Sequence, residues 1–64
     1  MPVITIDMLE GKTPEQKREL IEKITDVVCG IVKCQRGVVT IIFHDISHDD
    51  WGSGGVQKSQ ISPK

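Results

Sequence analysis

Tyrosine is missing from the 64 residues, and Phe43 and Trp51 are the only aromatic side chains. Aromatic rings carry much of the buried area in a small core, so little of that resource is present. Cysteine occurs twice, as Cys29 and Cys34, too rarely for a disulfide framework and at the wrong spacing for a paired zinc signature. Residues five apart on a helix point in different directions, so both are read as free thiols. Positive charge is not in excess: 8 basic against 9 acidic residues leave a net charge of −1, which excludes the broad basic surface that nucleic acid demands. No apolar run approaches the ~20 residues needed to span a bilayer. A secretory signal is not expected, because Met1–Ile6 has no basic segment and Asp7 interrupts the apolar stretch. These absences lead us to expect a soluble cytoplasmic protein with neither a nucleic-acid nor a membrane partner.

What is there amounts to one small domain, residues 1–64. A chain of this size buries only about 60% of the surface its unfolded form exposes, and such domains are usually reinforced by disulfides, a metal or oligomerisation. With no disulfide framework and no zinc signature, self-association is the expected route.

Residues 2–9, Pro-Val-Ile-Thr-Ile-Asp-Met-Leu, are rich in β-branched side chains and set Ile4, Ile6 and Met8 against Thr5 and Asp7. They are read as a strand, closed by a loop at Glu10–Lys12. Thr13-Pro14-Glu15-Gln16 is a helix start: Thr13 can cap an early amide, Pro14 suits the first turn and Gln16 completes a capping box. Leu20, Ile21, Ile24, Val27, Val28, Ile31 and Val32 then recur at helical spacing as far as about Lys33. Glu15, Arg18, Glu19, Glu22 and Lys23 read as the solvated face, with Glu19 and Lys23 well placed for an i,i+4 pair.

Residues 38–44, Val-Val-Thr-Ile-Ile-Phe-His, form a second, almost continuously apolar strand of the kind covered on both faces in parallel sheets. The resulting β-α-β unit is of the α/β (α+β) class, with parallel strands joined by a right-handed crossover. One helix covers only one face of two strands, so the other face is expected to meet another subunit. After Asp45 the chain reads as turn-like over Ile46–Asp50, Gly52–Val56 as a short carboxy-terminal hairpin, and Gln57–Lys64 as a polar tail ordered only where another subunit holds it.

Several residues invite chemistry. Small second residues permit removal of the initiator methionine, which would leave Pro2 with a secondary amine. Alpha-amino groups titrate near pH ~7.7–8.0, a prolyl amine is more basic, and desolvation beside a cation would lower it into the range of a useful general base. The plain alternative is a proline that merely starts a strand. Lys12 could hold an anionic substrate or be an ordinary surface lysine. Trp51 could wall an apolar pocket or anchor an interface. His44 and His48 have the spacing of helical metal ligands, but a strand and a turn deprive that spacing of its meaning, so no metal site is expected. Neither cysteine has an activating neighbour in sequence.

Together, Pro2 behind Met1, the Leu9-Glu10-Gly11-Lys12 loop, the Pro14-Glu15-Gln16-Lys17 helix start, Ile41-Ile42, and Trp51 with Gly52-Ser53-Gly54-Gly55 resemble the 4-oxalocrotonate tautomerase family. The resemblance runs without gaps from Pro2 to about Lys58. It implies a β-α-β subunit assembled as a homohexamer, a trimer of dimers. It also implies a cofactor-independent keto-enol tautomerase acting on 2-hydroxydienoate or similar unsaturated enol acids, with Pro2 as the catalytic base. Lys12 then stands where that family has a carboxylate-binding arginine, keeping the charge but losing the planar fork. Trp51 takes the place of a pocket phenylalanine. Thr40 stands where a second arginine polarises the substrate carbonyl, which points to slower turnover or a different small anionic keto or enol acid. Hydration or dehalogenation of an unsaturated acid on the same scaffold, and a non-enzymatic assembly module, are the competing readings.

Overall fold

The computed structural model describes residues 1–61 and is built around strand β1 (Val3–Leu9), helix α1 (Pro14–Val32) and strand β2 (Thr40–Ile46). A 3-10 turn at Arg36–Val38 precedes β2, and another at His48–Asp50 follows it. The chain closes with a hairpin of β3 (Gly52–Ser53) and β4 (Val56–Gln57) and a short helix α2 (Lys58–Ile61). The α+β class and the β-α-β order agree with the sequence. β1 and β2 run parallel, in a register from Val3–Thr40 to Leu9–Ile46.

Local chemistry accounts for these boundaries. The Thr13 hydroxyl accepts the Gln16 N–H at 3.1 Å and the Gln16 side chain accepts the Thr13 N–H at 3.0 Å, so two otherwise orphaned amides are satisfied reciprocally. At the other end Lys33 turns left-handed, with φ 65° and ψ 51°, and its N–H closes onto the Cys29 carbonyl at 3.0 Å. The hairpin needs positive φ at both central positions, and Gly54 (62°) and Gly55 (81°) supply it without a Cβ penalty.

Strand β2 lies two residues later than the apolar run predicts. Val38 belongs to the 3-10 turn, its N–H bonding to Gln35 O at 3.2 Å, and the ladder opens only where the Thr40 N–H meets Pro2 O at 3.0 Å. Before Pro2 there is no partner strand, so Val38 and Val39 satisfy their amides locally. At the far end Asp45, beyond the predicted strand, and Ile46, expected in a turn, stay in the strand because Met8 and Leu9 pair with them. The tail is corrected in part as well: Lys58–Ile61 forms a helical turn within a single chain, its first amide bonded to Trp51 O at 2.7 Å. Residues 62–64 of that predicted tail lie outside the described residues.

The register fixes the faces. Asp45 pairs with Lys17 of α1, so Ile41, Phe43 and Asp45 with their cross-strand partners Ile4, Ile6 and Met8 look toward the helix. Val3, Thr5, Asp7, Thr40, Ile42 and His44 look the other way and are exposed. On the helix, Ile24 and Val28 are half-buried and Thr25 is 6% exposed, while Val27, Ile31 and Val32 remain 59%, 76% and 59% exposed. Among the described residues no apolar side chain is fully buried. The protomer is a slab of 43 × 23 × 14 Å with a radius of gyration of 14.9 Å. A compact chain of this length has a radius of gyration of about 11 Å. Part of the apolar stripe and the second sheet face are left uncovered by this chain.

Candidate active site

Pro2 sits half-buried at the amino end of the sheet, behind an exposed Met1. Its carbonyl is held by the Thr40 N–H, so the ladder fixes where the proline ring lies. Thr40 is thereby the immediate cross-strand neighbour of the Pro2–Val3 junction. Its side chain is exposed and bears a hydroxyl but no charge.

Lys12 and Trp51 lie at the opposite end. Lys12 follows the carboxyl end of β1 after Gly11, whose φ of 115° makes the bend. Trp51 follows the carboxyl end of β2 and is half-buried, its segment tied down by Lys58 N–H to Trp51 O and by the Gln57 amide donating to Asp49 O at 2.7 Å. Six strand steps separate the two ends, about 20 Å at 3.3 Å per residue. The structure therefore pairs Pro2 with Thr40 and places Lys12 and Trp51 in separate loops at the other end of the strand pair. It does not bring the four together within one chain.

An open groove of about 300 Å³ lies between the end of β1 and the first half of α1, lined by Met8, Lys12, Gln16, Glu19, Leu20 and Lys23. Met8 and Leu20 are its apolar components and the two ammonium groups its positive ones. Lys23 is engaged, its Nζ 2.9 Å from Glu19 Oε2. The hydrogen bond and charge of Lys23 hold the Glu19 carboxyl below its usual range, and Glu19 raises Lys23 in return. Among the described residues Lys12 forms no ion pair and is the groove cation available to an anion. By sequence, Glu19 and Lys23 of this helix wall belong to the solvated face, Leu20 to the apolar stripe and Gln16 to the capping box. The signal of the groove was nevertheless present, because Gln16, Glu19, Leu20 and Lys23 follow i, i+3, i+4, i+7 from the capping box.

The two histidines part company. His44 Nδ1 lies 2.8 Å from Asp7 Oδ1 on the exposed sheet face, and His48 Nδ1 lies 3.4 Å from Glu10 Oε2 beyond the strand end. Among the described residues no three His, Cys, Asp or Glu side chains converge where a metal ion could be held. No helix among them is long and apolar enough to cross a membrane.

A proline-headed strand, a free lysine after it and a glycine hairpin behind a tryptophan find their match in known proteins. Residues 2–61 match the family model described as tautomerase enzyme. The chain belongs to the tautomerase family. A probable tautomerase of Listeria monocytogenes is 39% identical over 61 residues, covering 95% of this chain and 100% of the relative. The 2-hydroxymuconate tautomerase of Comamonas testosteroni is 36% identical over 61 residues, covering 95% and 97%. The crystal structure of a heterohexamer 4-oxalocrotonate tautomerase from Chloroflexus aurantiacus superposes with a TM-score of 0.88 at 26% identity, over 97% of this chain and 100% of that one. This tautomerase is thus an isomerase of the 4-oxalocrotonate tautomerase type, and its β-α-β subunit is that family's fold.

Proposed function

We propose that this tautomerase moves a proton within a small unsaturated keto or enol acid, of the 2-hydroxydienoate type, with Pro2 as general base once Met1 has been removed. The neutral secondary amine takes a proton from the substrate, becomes a dialkylammonium, and returns the proton to a carbon of the conjugated system. No external cofactor is needed, because proton and electron pair stay within substrate and base. Lys12 holds the substrate carboxylate as a point charge, and Trp51 supplies apolar wall. Desolvation of the Pro2 amine beside the Lys12 ammonium would favour its neutral form near pH 7.

The observation that carries this reading is that Pro2 lies at one end of a strand pair with a free edge and Lys12 and Trp51 follow its other end, the former taken as base and the latter as substrate-binding groups. β1 pairs with β2 on one side only. If two β1 strands meet antiparallel through that edge, the amino end of one lies against the carboxyl end of the other. Pro2 of one protomer would then face Lys12 and Trp51 of its neighbour, twice per dimer. The exposed second sheet face and the exposed Val27, Ile31 and Val32 would be covered as dimers gather into a hexamer, an assembly also found in the similar Chloroflexus protein. Free thiols at Cys29 and Cys34 fit a reducing, cytoplasmic location.

Thr40 sets the expected level of activity. A threonine hydroxyl replaces a fixed cation beside Pro2, and one preorganised donor to a developing oxyanion is worth ~2.7–4 kcal/mol. Slow turnover of 2-hydroxymuconate, or preference for a substrate needing less carbonyl polarisation, follows. The test is ketonisation of 2-hydroxymuconate and of enol phenylpyruvate by processed protein, by Pro2→Ala and by a form that retains Met1. Activity in the processed protein alone is expected. Equal rates in all three would remove Pro2 as the base. Sedimentation as a stable monomer would remove the shared site.

A further inference from the structure

Outside the candidate site, two thiols meet at the end of α1. Cys34 Sγ lies 4.0 Å from Cys29 Sγ, and both residues are half-buried. Sequence spacing argued that the two thiols diverge, and on an uninterrupted helix they would. The helix is interrupted at Lys33, the one non-glycine residue with positive φ among the described residues. With Lys33 left-handed and its N–H on Cys29 O, the chain reverses so that the residue after the turn comes back over Cys29, the fourth-last helical residue. Those positions ordinarily hold an apolar contact. Here they hold two sulfurs.

We propose that Cys29 and Cys34 form a dithiol site that closes to an intramolecular disulfide by exchange with a small-molecule disulfide. One protein thiolate attacks a sulfur of the oxidant RSSR, forming a mixed disulfide and expelling one thiolate, RS⁻. The second cysteine, deprotonated, then attacks the protein sulfur of that mixed disulfide and expels the other RS⁻. Two protein thiols are oxidised, the two sulfurs of RSSR are reduced, and two protons end on two RSH. The sulfurs must close from 4.0 Å to about 2 Å, a movement within reach of χ1 rotation at Cys34, which sits in a connection rather than in the helix.

The surroundings favour a dithiol that is quiet until oxidant rises. Burial, then the hydrogen bond and charge of Cys34, push the Cys29 thiol up; the Arg36 guanidinium, itself paired with Asp26, opposes this. A neutral, partly covered thiol is a slow nucleophile, but its partner is already in contact, so the second exchange step is intramolecular. Metal capture is not favoured, since no third His, Cys, Asp or Glu joins the pair among the described residues. Closure would tie the last turn of α1 to the segment leading into Thr40, whose N–H positions Pro2.

The experiment treats the assembled protein with excess oxidised glutathione, alkylates remaining thiols and digests with trypsin without reduction. Cleavage after Lys23, Lys33 and Arg36 leaves Ile24–Lys33 and Cys34–Arg36 as separate peptides unless a disulfide joins them. The joined pair should dominate, in material running at monomer mass on a non-reducing gel. Dithiothreitol should reverse it, and the oxidised protein should melt ~5 °C higher than the reduced. Cys34→Ser should give only a glutathione adduct at Cys29. Stable glutathione adducts on both cysteines of the unaltered protein, or a disulfide-linked dimer as the main product, would overturn the proposal.

Discussion

The two ends of the β1–β2 pair are built from different materials. At the amino end Pro2 and Thr40 are placed by the main chain: one ladder hydrogen bond locates both, and neither side chain bears charge. At the carboxyl end Lys12, Glu10, His48 and Trp51 sit on loops, placed by a glycine bend, a histidine–carboxylate contact and a fastened hairpin. A base must be held rigidly and kept dry, which a strand end does well. Groups that grip a small anion must reach and adapt, which loops do better. One protomer holds these two halves apart at its two extremities, and the proposed function requires a neighbour to bring them together.

The sharpest way to break that comparison is to disable the two ends in different chains. Pro2→Ala alone should lower kcat/KM by about 10²–10⁴, the usual contribution of a positioned base. Co-assembling Pro2→Ala with Lys12→Ala protomers should restore about a quarter of wild-type sites under random pairing, since each mixed antiparallel pair holds one intact site. No recovery, measured by the same ketonisation assay, would mean that each chain supplies a whole site. Next in size, Lys12→Ala should raise KM by ~10–100-fold through loss of a charge-assisted contact, while Lys12→Arg should bind at least as well. Thr40→Arg should act in the opposite direction at the amino end, raising kcat by about tenfold if its guanidinium reaches the substrate carbonyl.

The smallest expected effects are on stability, and they have opposite signs at the two ends. The Cys29 thiol is pushed up on folding, so its contribution is complete below the ordinary thiol range near pH ~8.5 and is lost as pH rises through the folded value. The Glu19 carboxyl is held down by Lys23, so its contribution is present above the ordinary carboxylate range and is lost as pH falls through the folded value. Denaturant midpoints of Cys29→Ser should therefore lose part of the alkaline decline, and those of Glu19→Gln part of the acid decline. Glu19 and Lys23 are both well exposed, and raised salt should erase most of the Glu19 effect.

Elements governed by local chemistry were legible in the sequence. The capping box at Thr13–Gln16, the alternation of β1 and the Gly54–Gly55 hairpin each follow from short-range rules, and each stands where those rules put it. Where partner availability decides, the sequence misled. Val38 is as β-prone as Ile41 but has no strand beyond Pro2 to pair with, and Ile46 remains in β2 only because Leu9 lies opposite it. Contact between Cys29 and Cys34 was hidden because Lys33 turns left-handed, a conformation that glycine or asparagine announces and lysine does not. The sequence marks Pro2, Lys12, Thr40 and Trp51 as candidates by their positions along the chain alone. Their division between two ends became visible only with the strand register.

A slab without a closed core has a consequence for how this tautomerase persists in a cell. If the exposed Val27, Ile31 and Val32 are covered by copies of the same chain, as proposed, folding and association become one equilibrium. Stability is then a property of abundance: each tenfold dilution costs the assembled state ~1.4 kcal/mol per association step at 25 °C. Melting temperature should rise with protein concentration, and expression level becomes part of what keeps the fold intact. A substitution at Val27 or Ile31, far from any catalytic group, would be felt first as a higher threshold concentration below which the enzyme is absent.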